Sequence, residues 1–266
     1  MASTTRIIVY DIPGIYLWTP EERVYAFDVI VKASGGGGAS GMSHSVTTSR
    51  LCGSGGGGGA ITIANRRFSA LDFLRETEIV VGAGGLGGAS PSAADGAWNP
   101  GETGGFSAFG DVLRAEGGFG GGRALGNEQP DIAFGGDGGH GVLRGGKGAS
   151  FVAAAPDTNS GIVRLLASGA GGGRGSGYNS SGSVLTATNG GRSGPQNVGA
   201  NWRTLLASTH TAGNGGAGAN YAGPGYDGQS PSGGGGGGAG GNPGTAGGRG
   251  GDGQVVVIEY LREPEV

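Results

Sequence analysis

A single cysteine, Cys52, stands in 266 residues, so no internal disulfide framework can staple this chain. No histidine neighbours it, and Cys52 reads as a small buried residue, not a nucleophile. Apolar residues make up 35% and aromatics 7%; much of the apolar share is alanine, so an ordinary core must be thin. Positive charge is scarce and scattered, with 17 Lys and Arg against 20 Asp and Glu. That leaves no basic stripe of the kind that holds nucleic acid. No apolar run approaches membrane-spanning length, and MASTTRIIVY lacks the charged start and continuous apolar stretch of a signal peptide. The expectation is a protein made in a cytoplasm, outside the general secretory route, without membrane insertion. His44, His140 and His210 lack zinc-ligand spacing, and no G-x-S-x-G nucleophile motif occurs. The acidic pairs Glu21 with Glu22, Glu76 with Glu78 and Glu263 with Glu265 lie beside strand-like runs or at the tail, where no glycosidase cleft is evident. No catalytic residue, cofactor or metal is assigned, and an enzyme is not expected.

What the chain has is glycine: 69 residues, roughly a quarter against a usual ~7%. EIVVGAGGLGGAS (78–90) contains Gly82-x-Gly84-x-x-Gly87, the letters of a dinucleotide-binding loop. That loop must open a helix whose N-terminus faces the pyrophosphate. Here Pro91, Gly96, Pro100 and Gly101 follow, and Gly and Pro are the poorest helix formers. The match is read as structural. The nearest calcium motif, GGRGGDGQV (247–255), places Gln254 where a large apolar residue belongs and is not repeated in tandem; Asp252 is read as a turn residue entering a strand.

Glycine at this density can mean disorder, but strand-like runs recur between the tracts: RIIVYDI (6–12), VYAFDVIVKA (24–33), AITIANRRF (60–68), TEIVVGA (77–83), GIVRLLAS (161–168) and QVVVIEYL (254–261). In the second run Tyr25, Phe27, Val29 and Val31 share one face and Asp28 and Lys32 the other, the period of a half-buried strand. Both chain ends are strand-like, which predicts that they pair. VIVKASGGGG, IVVGAGGLGG and LLASGAGGGRG repeat one handover from branched residues through alanine into glycine. From Gly235, every third residue is glycine as far as Gly253. A polyproline-II-type helix has three residues per turn, so this spacing lays one edge without Cβ along its length. Unlike proline, glycine keeps its N–H and can exchange hydrogen bonds with neighbouring helices. The expected fold is mainly β, a small β-sheet or sandwich scaffold carrying packed polyglycine-II-type helices, with little or no α-helix.

In order along the chain, GIYLWTPEERVYAFDVIVKASGGGG (14–38), ANRRFSALDFLRETEIVVGAGGLGG (64–88), GGFSAFGDVLRAEGG (104–118) and GGRGGDGQVVVIEY (247–260) resemble the glycine-rich domain of bacteriophage tail fibre and tail-tip adhesin (receptor-binding) proteins. The resemblance implies a virion component, on a phage tail, fibre or baseplate, that recognises a host cell surface. It divides the chain into an attachment segment (1–13), a glycine-rich domain (14–260) and a C-terminal tail (261–266). Its implied partners are a bacterial surface receptor, protein or polysaccharide, and other tail or fibre proteins, and by analogy the chain is either a homotrimer or a monomer capping a trimeric shaft. Contact loops are expected at 42–54, 89–102, 123–134, 176–202 and 219–232, since recognition usually sits on loops displayed by a rigid scaffold. Mixtures of Tyr, Ser, Asn and Gly suit adaptable contacts. Trp98, Tyr178, Tyr221 and Tyr226 are the receptor-binding candidates; the competing reading of each is packing over the glycine scaffold or against a subunit neighbour. The alternatives are a purely structural tail component and, with less support, a polysaccharide depolymerase.

Overall fold

The computed structural model describes residues 4–63, 68–73, 76–122, 132, 134–158, 167–193, 212–221 and 223–262. Strands β1 (Thr4–Tyr10), β3 (Val24–Lys32), β4 (Ile61–Ile63), β5 (Phe68–Ser69) and β11 (Gln254–Leu261) form one antiparallel sheet in the order β1-β11-β3-β4, with β5 also on β3. Strands β2 (Gly14–Trp18), β6 (Thr77–Val81), β7 (Ser107–Phe109) and β8 (Leu113–Ala115) form a second, in the order β2-β6-β7-β8. The two sheets pack face to face around Trp18, Phe27, Val29, Val31, Ile79, Val81, Phe109, Val255 and Val257. The termini do pair: β1 and β11 run antiparallel in register from Thr4 opposite Leu261 to Tyr10 opposite Val255. The fold is mainly β; its described helical residues are two single 3-10 turns, Thr47–Ser49 and Ala70–Phe73. None is long and apolar enough to cross a membrane.

One strand departs from its sequence pattern. β3 is not half-buried: Ile30 and Lys32, on the face expected to be polar, are as buried as Val29 and Val31. Ile30 packs with Ile61 and Val256 under Leu143 and Ala212, which belong to the glycine tracts. The tracts roof the sheet's second face, so β3 is enclosed from both sides. Of the expected runs, 161–166 and 64–67 lie outside the described residues.

Each glycine tract is an extended segment whose backbone hydrogen bonds go mostly to other tracts. In 33–42, residues 35, 38 and 41 donate to the carbonyls of 251, 248 and 245; residues 36, 39 and 42 donate to 57, 54 and 51; residues 34, 37 and 40 donate to 105, 102 and 99, all at 2.8–3.2 Å. The same tract accepts from 85 and 88, from 118 and 121, and from 235, 238 and 241. Six neighbours therefore surround it, each met every third residue, as a three-residue-per-turn helix requires. Tract 51–60 is likewise enclosed by 33–42, 116–121, 136–139, 146–149, 169–175 and 232–238. Tract 232–241 is enclosed by 36–42, 53–59, 170–176, 216–219, 226–229 and 245–252.

The glycines are there for space. A Cβ on Gly35, Gly37, Gly38 or Gly41 would lie 2.0, 2.0, 2.1 or 1.9 Å from a carbonyl oxygen of an adjacent tract. The dinucleotide-like letters, read as structural, obey the same rule: a Cβ on Gly84 or Gly87 would meet the carbonyl of Gly250 or Gly247 at 1.9 or 2.1 Å. Tract 82–88 runs against 33–42, 99–105 and 247–253 and opens no helix. The long glycine phase from Gly235 to Gly253 is also not one helix. A turn at Asn242 and Pro243 reverses the chain, so 232–241 and 244–253 pack antiparallel, with Thr245, Gly248 and Gly251 donating to 239, 236 and 233.

Candidate functional site: the bundle end remote from the sheets

Strand-to-tract handovers set the direction of travel. β3 ends at Lys32 and feeds 33–42 away from the sheets; 51–60 returns to β4, 82–89 leaves β6, and 97–105 returns to β7. Among the described residues the outward and return segments continue in alternation, so every second described connection lies at the far end. The described connections there are 43–50, 90–96, 150–153, 177–187, 220–221 with 223–224, and 242–243. Sequence separates them by up to two hundred positions, and the bundle brings them onto one face.

The loops are cross-tied. Asp95 accepts from the Ser45 backbone N–H at 2.6 Å and from its hydroxyl at 2.7 Å, joining 90–96 to 43–50. His44 Nδ1 lies 3.8 Å from the same carboxylate. These Ser45 bonds hold the Asp95 carboxyl below its ordinary value, because they favour the charged form. Arg50 donates back to the carbonyls of His44 and Ser45, closing the first loop on itself. Loop 177–187 is a hairpin in which β9 (Gly177–Tyr178) pairs β10 (Val184–Leu185), and the Tyr178 N–H donates to Arg50 at 3.0 Å. The Tyr221 N–H donates to Ser176 Oγ at 2.9 Å.

Beneath these loops sits a second apolar cluster of Cys52, Ile132 and Phe151, lined by Met42, Leu51, Trp98 and Leu185. Cys52 is fully buried, and burial pushes its thiol up to about 12, so the thiol is inert, as expected of a packing residue. Above the cluster, Val152 (94% exposed), Tyr221 (74%), Val184 and Val46 present large apolar side chains to solvent. Tyr221 also holds φ +26, a backbone conformation unusual for a side chain of its size. Such strain persists only where surroundings impose it, and it clusters at recognition sites.

The four aromatic candidates separate on this geometry. Tyr221 stands on the far face. Tyr178 is half-buried there, paired with Val184 in the hairpin and joined to Leu51 by a parallel bridge. Trp98 is turned into the apolar cluster. Tyr226 is exposed on the flank, on tract 225–229, where its carbonyl accepts from Gly236. The expected loop 219–232 is therefore a short connection followed by a returning helix. Likewise 176–202 divides into a hairpin and a tract at 188–193, with 194–202 outside the described residues, as is 123–131. Val46, Val152 and Val184 escaped the sequence reading because a lone valine in a polar segment carries no periodicity.

Among the described residues no group of three or more His, Cys, Asp or Glu could hold a metal ion. Asp252 of the near-calcium motif accepts from the Gly84 N–H at 2.8 Å and pairs with Arg249, bracing tract 244–253 against 82–88. A family model described as a glycine-rich domain matches residues 11–260. No curated protein matches the chain.

Proposed function

We propose that this chain, which belongs to the glycine-rich domain family, is a receptor-binding protein of a bacteriophage tail or fibre that touches the host surface with the far face of its bundle. One observation carries the reading: every second described connection converges on that face, and Val46, Val152, Val184 and Tyr221 stand out of it. Surface-exposed large apolar groups gathered in one place mark interaction sites, and aromatic residues anchor recognition loops. A crystalline array of tracts beneath them supplies a rigid base, which limits the ordering cost of binding.

The test is binding of fluorescently labelled protein to a panel of bacterial strains, with unlabelled protein as competitor. Saturable, strain-selective labelling is expected. It should disappear when the exposed Val46, Val152, Val184 and Tyr221 are replaced by serine, with the melting curve unchanged. Absence of binding to every strain by folded protein would turn the reading to a structural tail component, and release of reducing sugar from cell-surface polysaccharide would turn it to a depolymerase.

A further inference from the structure

The opposite end of the molecule carries a second surface. β2 is an edge strand: it pairs β6 in register, Ile15 opposite Val80 and Leu17 opposite Glu78, and its other edge meets no strand among the described residues. Open edges are usually blunted with charge, because unpaired N–H and C=O groups template further strands. β2, Gly-Ile-Tyr-Leu-Trp, contains no charged residue. Of the other outer strands, β1 carries Arg6 and β8 carries Arg114, while uncharged β4 exchanges both Ile61 main-chain hydrogen bonds with Leu143.

The outer face of β2 is uncovered as well. Trp18 and Tyr16 turn inward, Trp18 into the core and Tyr16 onto Tyr10 at 5.0 Å between ring centroids. Ile15 and Leu17 turn outward and are 68% and 62% exposed, beside the half-buried Val80 and near the exposed Ile12. Among the described residues, the charges nearest this apolar strip are acidic. Glu78 sits directly opposite Leu17, Glu76 lies two residues before it on the same face, and the Gly110 N–H donates to the Glu78 carbonyl, which brings exposed Asp111 alongside. Arg114, across the sheet beyond Ala108, is occupied by Glu116 and by the Phe106 ring, 3.8 Å from its guanidinium carbon.

We infer that the β2 edge is a docking site for an extended segment of another protein, one alternating apolar and basic residues, that adds to the second sheet as a further strand. Main-chain hydrogen bonds to β2 supply affinity in such augmentation, and alternate side chains supply specificity. Alternate side chains of the incoming strand fall on opposite faces: its basic ones would lie on the outer face, their stems over Ile15 and Leu17 and their ammonium groups toward Glu76, Glu78 and Asp111, and its apolar ones on the inner face beside Tyr16. Pro13 and Pro20 bracket β2 and limit the added strand to about five paired residues, since proline cannot continue a ladder. This site lies at the sheet end, so its failure and the failure of the far-face reading are separate results.

The probe is a labelled ten-residue peptide alternating valine and lysine, titrated with the full chain and read by fluorescence anisotropy. Saturable binding is expected to weaken at least tenfold in Ile15→Gln/Leu17→Gln and in Glu78→Lys/Asp111→Lys. It should also be lost when glutamate replaces lysine in the peptide, or when proline replaces valine and removes the donors. All four positions substituted are solvent-facing, and an unchanged melting curve confirms the fold. No binding by the unaltered chain overturns the inference, as does binding that neither double variant weakens. Sedimentation velocity supplies the remaining arm: a dimer that Ile15→Gln/Leu17→Gln dissolves would assign this edge to a second copy of the chain instead.

Discussion

At Gly56 an added methyl group would sit 2.2 Å from the carbonyl oxygen of Gly36, which itself accepts the N–H of Gly235. Neither helix can retreat, because each is held from several sides. Gly56→Ala is expected to destabilise by more than the ~1–3 kcal/mol of ordinary overpacking. At Gly223 nothing lies within 4 Å of the same added atom, and Gly223→Ala should be neutral or gain roughly 0.4–1 kcal/mol by stiffening the unfolded chain. Urea denaturation of both variants checks this; equal effects would refute the spatial account of glycine. A buried cation gives a second residue-scale expectation. Burial lowers Lys32 to about 7, while the unfolded ammonium titrates near ~10.4. Between those values the unfolded chain holds a proton that the folded chain lacks. Stability must therefore rise with pH above 7, with a slope approaching ~1.4 kcal/mol per pH unit. Denaturation midpoints should climb from pH 7 to 9 in the parent protein and stay flat in Lys32→Met.

Individual elements depend on a few polar ties between distant stretches. Fully buried Glu259 on β11 accepts from Trp18 Nε1 of β2 at 2.9 Å and from Arg6 Nε of β1 at 2.5 Å, clasping the two sheets at their shared edge. Glu259→Ala strands a buried indole N–H as well as the arginine, a loss of roughly 1–3 kcal/mol that a thermal melt would register. At the far face the Asp95 clasp on Ser45 is acid-sensitive in a defined direction. Its folded carboxyl titrates below the unfolded value of ~3.9, so the clasp is complete above that value and is lost as pH falls through the lower one. Proteolytic nicking within 43–50 should be constant from pH 8 to 5 and should increase in Asp95→Ala at every pH. These ties were largely invisible in the sequence. The strands were legible from the alternation of Phe27, Val29 and Val31, and the pairing of the termini from their composition. That Ile30 and Lys32 would be roofed was not, because their cover comes from Leu143 and Ala212, in tracts remote along the chain. The far-face loops were legible as loops from their Pro, Asn, Ser and Asp content. Their convergence was not, since nothing local shows that 232–241 and 244–253 reverse at Asn242 and Pro243.

Across the whole molecule, order is collective. A tract of this kind has no hydrogen bond within itself, and fixing each of its residues costs about 1–2 kcal/mol before any partner is met. An α-helix can persist when its neighbours leave, whereas 33–42 loses the acceptors of all its N–H groups together. The bundle and the sandwich also share their supports: β3 is roofed by the tracts, and the tracts are launched from β3, β6 and β8. Unfolding should therefore be a single cooperative transition, with calorimetric and van't Hoff enthalpies in agreement, in a protein whose far-ultraviolet spectrum shows no α-helical signature. Amide exchange supplies the spatial counterpart. Protection should be deepest in 33–42, 51–60 and 232–241, which have neighbours on all six sides, and shallower in the flanking tracts such as 225–229. It should be least in the far-face loops, where local opening is not tied to the global transition. A melt in two steps, with the strands outlasting the glycine tracts, would separate the scaffold into independent parts and remove the rigid base on which the far-face loops are proposed to work.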